Sequence, residues 1–148
     1  MDKQNLMETF ISDQNFKIWE YTVSHSILLL RYHEVDSDKV VDIIFEGVEF
    51  LQIPEKFIGL EILEASEAEN GAFTKYLKPS PPKPASSKIY VLVTSNIRYY
   101  VVASFCHVYE HNNSYIYGIV DYWNKTGQVQ LIYEDLNPAA LEWKRKKD

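Results

Sequence analysis

KIYVLVTSNIRYYVVASFCHVYEHNNSYIYGIVDYW, residues 88–123, is the densest run of β-branched and aromatic residues in the chain. Such side chains suit a pleated, half-buried surface. From Ile97 to Glu110 both alternating phases are rich in apolar residues. One phase carries Ile97, Tyr99, Val101, Ala103, Phe105, His107 and Tyr109, and the other Arg98, Tyr100, Val102, Ser104, Cys106, Val108 and Glu110. A strand with apolar side chains on both faces is covered on both. Asn112-Asn113 then supplies a turn, because Asn tolerates the left-handed backbone of a two-residue hairpin loop. Tyr115 to Trp123 is expected to return as the partner strand. With that turn Val108 faces Tyr117, Cys106 faces Ile119, Ser104 faces Asp121, Val102 faces Trp123 and Gly118 faces His107. A slip of one residue would exchange the two faces.

Outward from this hairpin the chain reads as more strands. Leu6, Met7, Phe10 and Ile11 fall at helical spacing and predict a short amphipathic N-terminal helix on the sheet. FKIWEYTV and HSILLLRYH, from Phe16 to His33 and separated only by Ser24, are one long bent strand or two strands meeting at a bulge. Glu34 to Asp38 turns the chain. Val40 to Gly47 alternates, with Val41, Ile43 and Phe45 on one side and Asp42, Ile44 and Glu46 on the other, as a half-solvated strand would. Gly47 marks a bulge or tight bend. Val48 to Ile53 and Gly59 to Ala65 are further strands, separated by a turn at Pro54. Ala72 to Leu77 makes a short helical turn. Residues 79–87, PSPPKPASS, form an extended proline-rich loop. Lys125 to Gly127 turns into a last strand, Val129 to Glu134. Asn137-Pro138 opens a C-terminal helix through Trp143, since Asn caps and Pro suits the first helical position. A basic tail follows at 144–148. The sum is a mainly β single domain over 1–148, an antiparallel sandwich or barrel-like roll of about eight or nine strands.

With 148 residues, 46% hydrophobic and 24% charged, the composition is that of a globular domain with a core of its own. The N-terminal stretch has no basic region followed by an apolar core, so no secretory signal is expected. No apolar run reaches the length of a membrane span. A lone cysteine, Cys106, leaves no internal disulfide and fits a reducing cytoplasm. The net charge is −6; residues 144–148 carry +3, so the rest carries −9. That balance disfavours nucleic acid, whose phosphates need clustered Lys and Arg, and suits a basic protein partner.

The candidate chemistry is thin. His25, His33, His107 and His111 do not supply the three or four converging ligands that zinc needs, and no metal or cofactor is expected. Cys106 and His107 are neighbours on a strand and point to opposite faces, so they cannot act as nucleophile and base. Ser24-His25-Ser26 lacks a nucleophile elbow and suits a bend. Arg98, Ser104, Glu110 and Asp121 share a face of the expected hairpin, and Asp121 must be paired, exposed or protonated there. This face would be the floor of a ligand pocket built from Tyr100, Ser104, Tyr117, Asp121 and Trp123. Asp42, Glu46, Glu49 and Glu61, with Glu64, decorate the first strands as a solvated or partner-binding acidic surface. A glycosidase pair would need two of them across a cleft.

WEYTVSHSILLLR, VDIIFEGVEFLQIP and GLEI, within residues 19–62, resemble segments of small uncharacterised bacterial single-domain proteins, some of which are immunity partners of secreted toxins. The resemblance implies no catalytic residues. The leading expectation is a non-enzymatic cytoplasmic protein-binding domain with an acidic surface, using Asp42, Glu46, Glu49 and Glu61, of immunity type. The alternative is a small-molecule-binding barrel or roll with the aromatic pocket. A hydrolase stands third.

Overall fold

The structure is a computed structural model that describes residues 6–34, 36–77, 86–112, 116–124 and 129–136. The proline-rich residues 79–85, Asn113 of the expected Asn112-Asn113 turn, the expected turn at Lys125–Gly127, the expected C-terminal helix from Asn137 and the basic tail lie outside the described residues.

The chain forms one antiparallel sheet. Its strands are β1 (Phe10–Thr22), β2 (Ile27–His33), β3 (Val40–Glu46), β4 (Phe50–Gln52), β5 (Lys56–Glu64), β6 (Lys88–Thr94), β7 (Ile97–Ala103), β8 (Phe105–His111) and β9 (Gln130–Leu136). They lie in the order β4-β7-β6-β5-β1-β2-β3-β8-β9. Two short helices, α1 (Glu67–Phe73) and α2 (Ile119–Trp123), accompany it. The mainly β, antiparallel reading holds, but there is one continuous sheet and not two stacked as a sandwich. The sheet curls around a main core that includes Phe16, Leu30, Phe45, Phe57, Leu92 and Val101. Strands far apart in the ladder thereby meet. The Tyr90 hydroxyl donates to the Asp135 carbonyl at 3.1 Å, Lys88 Nζ reaches both Glu64 and Asp135 at 2.8 Å, and Met7 N–H donates to the Ile132 carbonyl at 2.8 Å.

Three expectations change. The N-terminal residues are strand and not helix from Phe10 on: Phe10 is buried and Ile11 exposed, the alternation of an edge-to-edge pairing with β5. β1 and β2 are a hairpin closed by the turn Val23–Ser26, with Ser26 at φ 53°, and not one bent strand. The long strand from Ile97 does not return through the described part of the expected partner, Ile116–Trp123. Its second half, β8, lies between β3 and β9, with Val108 opposite both Ile43 and Tyr133. Both sides of β8 are therefore occupied, and residues 119–123 coil into α2 instead. Asp121 fixes that start by accepting N–H bonds from Tyr117 (2.7 Å) and Gly118 (3.2 Å). The hairpin within the opening stretch lies earlier, at Ser95-Asn96, whose φ values of 51° and 61° are those of a two-residue turn between β6 and β7.

The doubly apolar alternation of Ile97–Glu110 has two causes. At Ser104 the chain turns a corner, and the inward set switches from Val101 and Ala103 to Cys106 and Val108. Three residues, Gly47–Glu49, there face two, Ala103 and Ser104, on the opposite strand. Ser104 N–H donates to the Glu46 carbonyl (2.9 Å), and Glu49 N–H to that of Val102 (2.8 Å). In addition, α2 covers the outer face, where Ile119 packs with Ile27, Leu29 and Ile44, against Tyr109 and Tyr122. The β3 strand is consequently not half-solvated: both its phases are buried.

Candidate functional site

On β1 the bulge is the feature that makes a site. Ile18 pairs with Leu30 and Glu20 with Leu29, so Trp19 is the extra residue. Bulges re-aim a side chain and strengthen local twist. A second irregularity lies upstream, where Asp13 and Gln14 face the single residue Gly59, at φ +71°. Between them, the outer face of β1 with β2 and β5 carries no covering helix among the described residues. There the surface sinks into a groove of about 500 Å³ lined by Lys17, Trp19, Arg31, Lys56, Phe57 and Ile58, among others. His33 stands at the same groove and also lines an adjoining recess of about 200 Å³, shared through Trp19 and Arg31. Volumes of a few hundred cubic ångströms suit a small ligand.

Trp19 is held firmly. Its Nε1–H donates to the Tyr117 carbonyl at 2.6 Å, and its ring lies 4.8 Å from the Arg31 guanidinium carbon and 5.3 Å from Lys17 Nζ. Arg31 is held in turn by a buried polar network. Its Nε and Nη2 make a bidentate pair with Asp42, at 2.7 and 2.8 Å, and its remaining N–H groups reach the carbonyls of Ile116 (3.0 Å) and Tyr117 (3.3 Å). Asp42 also accepts from the Tyr122 hydroxyl, and His111 Nε2 lies 3.1 Å from it. Beside an ionised carboxylate, which can only accept, that His111 nitrogen carries the proton. Burial by itself would push the Asp42 carboxyl up. The hydrogen bonds from His111, Arg31 and Tyr122, with the Arg31 charge, outweigh it and hold Asp42 below the usual carboxylate range. Tyr122 is pushed far up, by burial and by the Asp42 charge, and stays a donor.

A second cleft, of about 220 Å³, opens on the other side of α2, lined among others by Ile44, Glu46, His107, Tyr109, Tyr122 and Trp123. His107 sits between two carboxylates, Nε2 3.4 Å from Glu46 and Nδ1 3.3 Å from Glu134.

The structure separates the residues that the sequence grouped. Asp42 is fully buried and cannot present its charge to a partner. Glu46 lies on the rim of the second cleft, Glu49 is exposed at the Gly47 corner, and Glu61 lies on β5 opposite Ile11 and Val93. They do not form one patch with Asp42. The expected pocket is not assembled, because the strand pairing that defined it does not form. Tyr100 instead packs on Phe73 of α1 at 4.3 Å and donates to Glu69, which Arg98 also grips at 2.7–2.8 Å. Ser104 sits at the corner against Gly47. Tyr117 projects into solvent and serves the site through its carbonyl, Asp121 starts α2, and Trp123 stacks near His25 at 4.9 Å. Gly118 faces Glu20, whose carboxylate accepts the Ile119 N–H at 2.9 Å, and not His107. Trp19, Lys17, Arg31 and Lys56 were missed. The only signal for them in the sequence is a tryptophan and cations on an otherwise alternating strand, and the bulge that gathers them leaves no composition mark.

In comparisons with known proteins, no family, no curated protein and no solved structure matches this chain.

Proposed function

We propose that this chain is a binding protein whose ligand site is the Trp19 groove. The observation that carries this is the pairing of a groove of about 500 Å³, uncovered by any of the described residues, with an aromatic side chain fixed there by a bulge and a buried ion-pair network. Buried ionic networks gain little stability, and a registry or positioning role is their better-attested use. Here the network positions Trp19 and the 116–117 backbone. The reading takes the aromatic-pocket alternative from the sequence and moves it to different residues. The barrel-like roll belongs to it, because curling the sheet creates the uncovered outer surface on which the groove lies.

The test is a small-molecule library screened by two-dimensional NMR on the labelled protein. Hits are expected to shift the Trp19 indole N–H together with amides of Lys17, Lys56 and Ile58, and Trp19→Ala should abolish them while the rest of the spectrum is unchanged. Hits that map elsewhere, or that survive Trp19→Ala, would overturn the assignment.

A second reading is a cytoplasmic acidic-surface partner of a basic protein, of the immunity type that the resemblance suggests. It is favoured by the net charge of −6 and by the aromatic cleft in which Glu46 and Glu134 flank His107. On this reading Glu46, Glu49 and Glu61 remain as contact residues and Asp42 does not.

A further inference from the structure

The Trp19 groove carries a charge opposite to that of the chain. Among the described residues its lining contains Lys17, Arg31, His33 and Lys56 and no Asp or Glu, in a protein of net charge −6, and Asp38 enters only at the adjoining recess. The three cations Lys17, Arg31 and Lys56 are not equivalent. Arg31 is already neutralised by its bidentate pair with Asp42. Lys17 and Lys56 are exposed and directly opposite each other in the β1–β5 ladder, so they share one face. Among the described residues neither has a carboxylate partner. Like charges directly opposite across a ladder destabilise it. The register that creates this pair is set by the bulge at Asp13-Gln14 against Gly59. Beside the pair stand the Trp19 ring and Ile58, whose side chain is 73% exposed.

Resting on the groove reading above, we infer that the ligand is a small organic anion with a flat apolar body: its charged group sits between Lys17 and Lys56, and its body lies against Trp19 and Ile58. A phosphate, sulfate or carboxylate group would relieve the repulsion of the two ammonium groups through charge-assisted hydrogen bonds. The apolar body would cover surface that no part of the described chain covers.

The experiment titrates the full chain with 1-naphthyl phosphate, with uncharged 1-naphthalenemethanol and with inorganic phosphate, reading the Trp19 indole and the Lys17 and Lys56 amides by NMR. 1-Naphthyl phosphate is expected to bind at least about tenfold more tightly than either half alone, as two anchors acting together should. Lys17→Gln with Lys56→Gln should remove that advantage and leave the naphthalenemethanol shifts in place. Both lysines are exposed, so the pair of substitutions is not expected to disturb folding, and an unchanged amide spectrum checks this. If naphthalenemethanol binds as well as the phosphate ester, and Trp19→Ala abolishes both, the groove reading stands and the anion inference falls. If no probe perturbs these resonances at millimolar concentration, both fall. A short acidic aromatic peptide that outcompetes the phosphate ester would overturn the small-ligand assignment in favour of a protein partner.

Discussion

Asp42 is the residue on which the site's foundation depends. It is fully buried, and one carboxylate holds Arg31, Tyr122 and His111 from three different elements. Removing one member of a buried pair strands the other charge, which costs about 3–5 kcal/mol. Asp42→Ala is therefore expected to lower unfolding stability by that amount in urea titrations. Asp42→Asn keeps the shape and removes the charge, and it isolates the pH dependence. The folded carboxyl lies below its unfolded value of about 3.9. Its contribution is thus fully present above the unfolded value and is lost as pH falls through the folded one. The stability gap between wild type and Asp42→Asn should be constant near pH 6 and shrink progressively below about pH 4. A gap that stays constant down to pH 2 would show that the charge is not held by the network. Cys106 presents the contrasting case: it is buried, and burial pushes its thiol well up, so it packs as a small apolar side chain.

Among the elements, the paired corner at Gly47 and Ser104 decides the curl. Gly47 has φ +70°, and a Cβ there would meet Ser104 Oγ at 2.6 Å and Cβ at 3.0 Å. Gly47→Ala is expected to be destabilising through both terms, about 1–2 kcal/mol for the left-handed backbone and about 1–3 kcal/mol for the overlap. Adding Ser104→Gly removes the overlap and leaves the backbone cost, apart from the smaller penalty of the new glycine. The double variant should then recover part of the loss in denaturant unfolding, and no recovery would mean that the corner does not pack as described. The corner also explains why a period of two read through Ile97–Glu110 could not identify the inward face. One extra residue on the partner strand exchanges the two phases midway.

For the whole molecule, charge and the curl of the sheet set the behaviour. Lys88 joins Glu64 of β5 to Asp135 of β9 across the curl, and the Tyr90 hydroxyl bonds the same β9 segment, so strands at opposite parts of the ladder are tied to one another. The surplus negative charge acts at longer range. If a basic protein is the partner, its association rate should fall as ionic strength rises from about 0.05 to 0.5 M, because the Debye length that screens exposed charges shortens from about 14 to about 4 Å. Replacing Glu46, Glu49 and Glu61 together by Lys should slow that association in stopped-flow measurements. Changing Asp42 instead should act through stability. An association rate indifferent to both salt and this triple replacement would leave the acidic-surface reading without support.

The abundance of β-branched and aromatic residues, the alternation and the turn residues determined by themselves a mainly β antiparallel chain of about eight or nine strands, a bend at Gly47 and a strand near Val129. These are local properties: each depends on residues within a few positions of one another. What only the tertiary structure decided was pairing, and with it the site. Whether Asn112 or Ser95-Asn96 closed a hairpin, whether Tyr115–Trp123 could find a strand to join, and which side of Val40–Gly47 met water all depended on partners far along the chain. Asp42 reads as a surface acid from its own neighbours and becomes a buried ligand of Arg31 only once β2, β3, β8 and α2 converge. Lys17 meets Lys56 only because a bulge of one residue sets that register. A shift of one position moves a side chain to the opposite face of a sheet, and no composition or periodicity can record it.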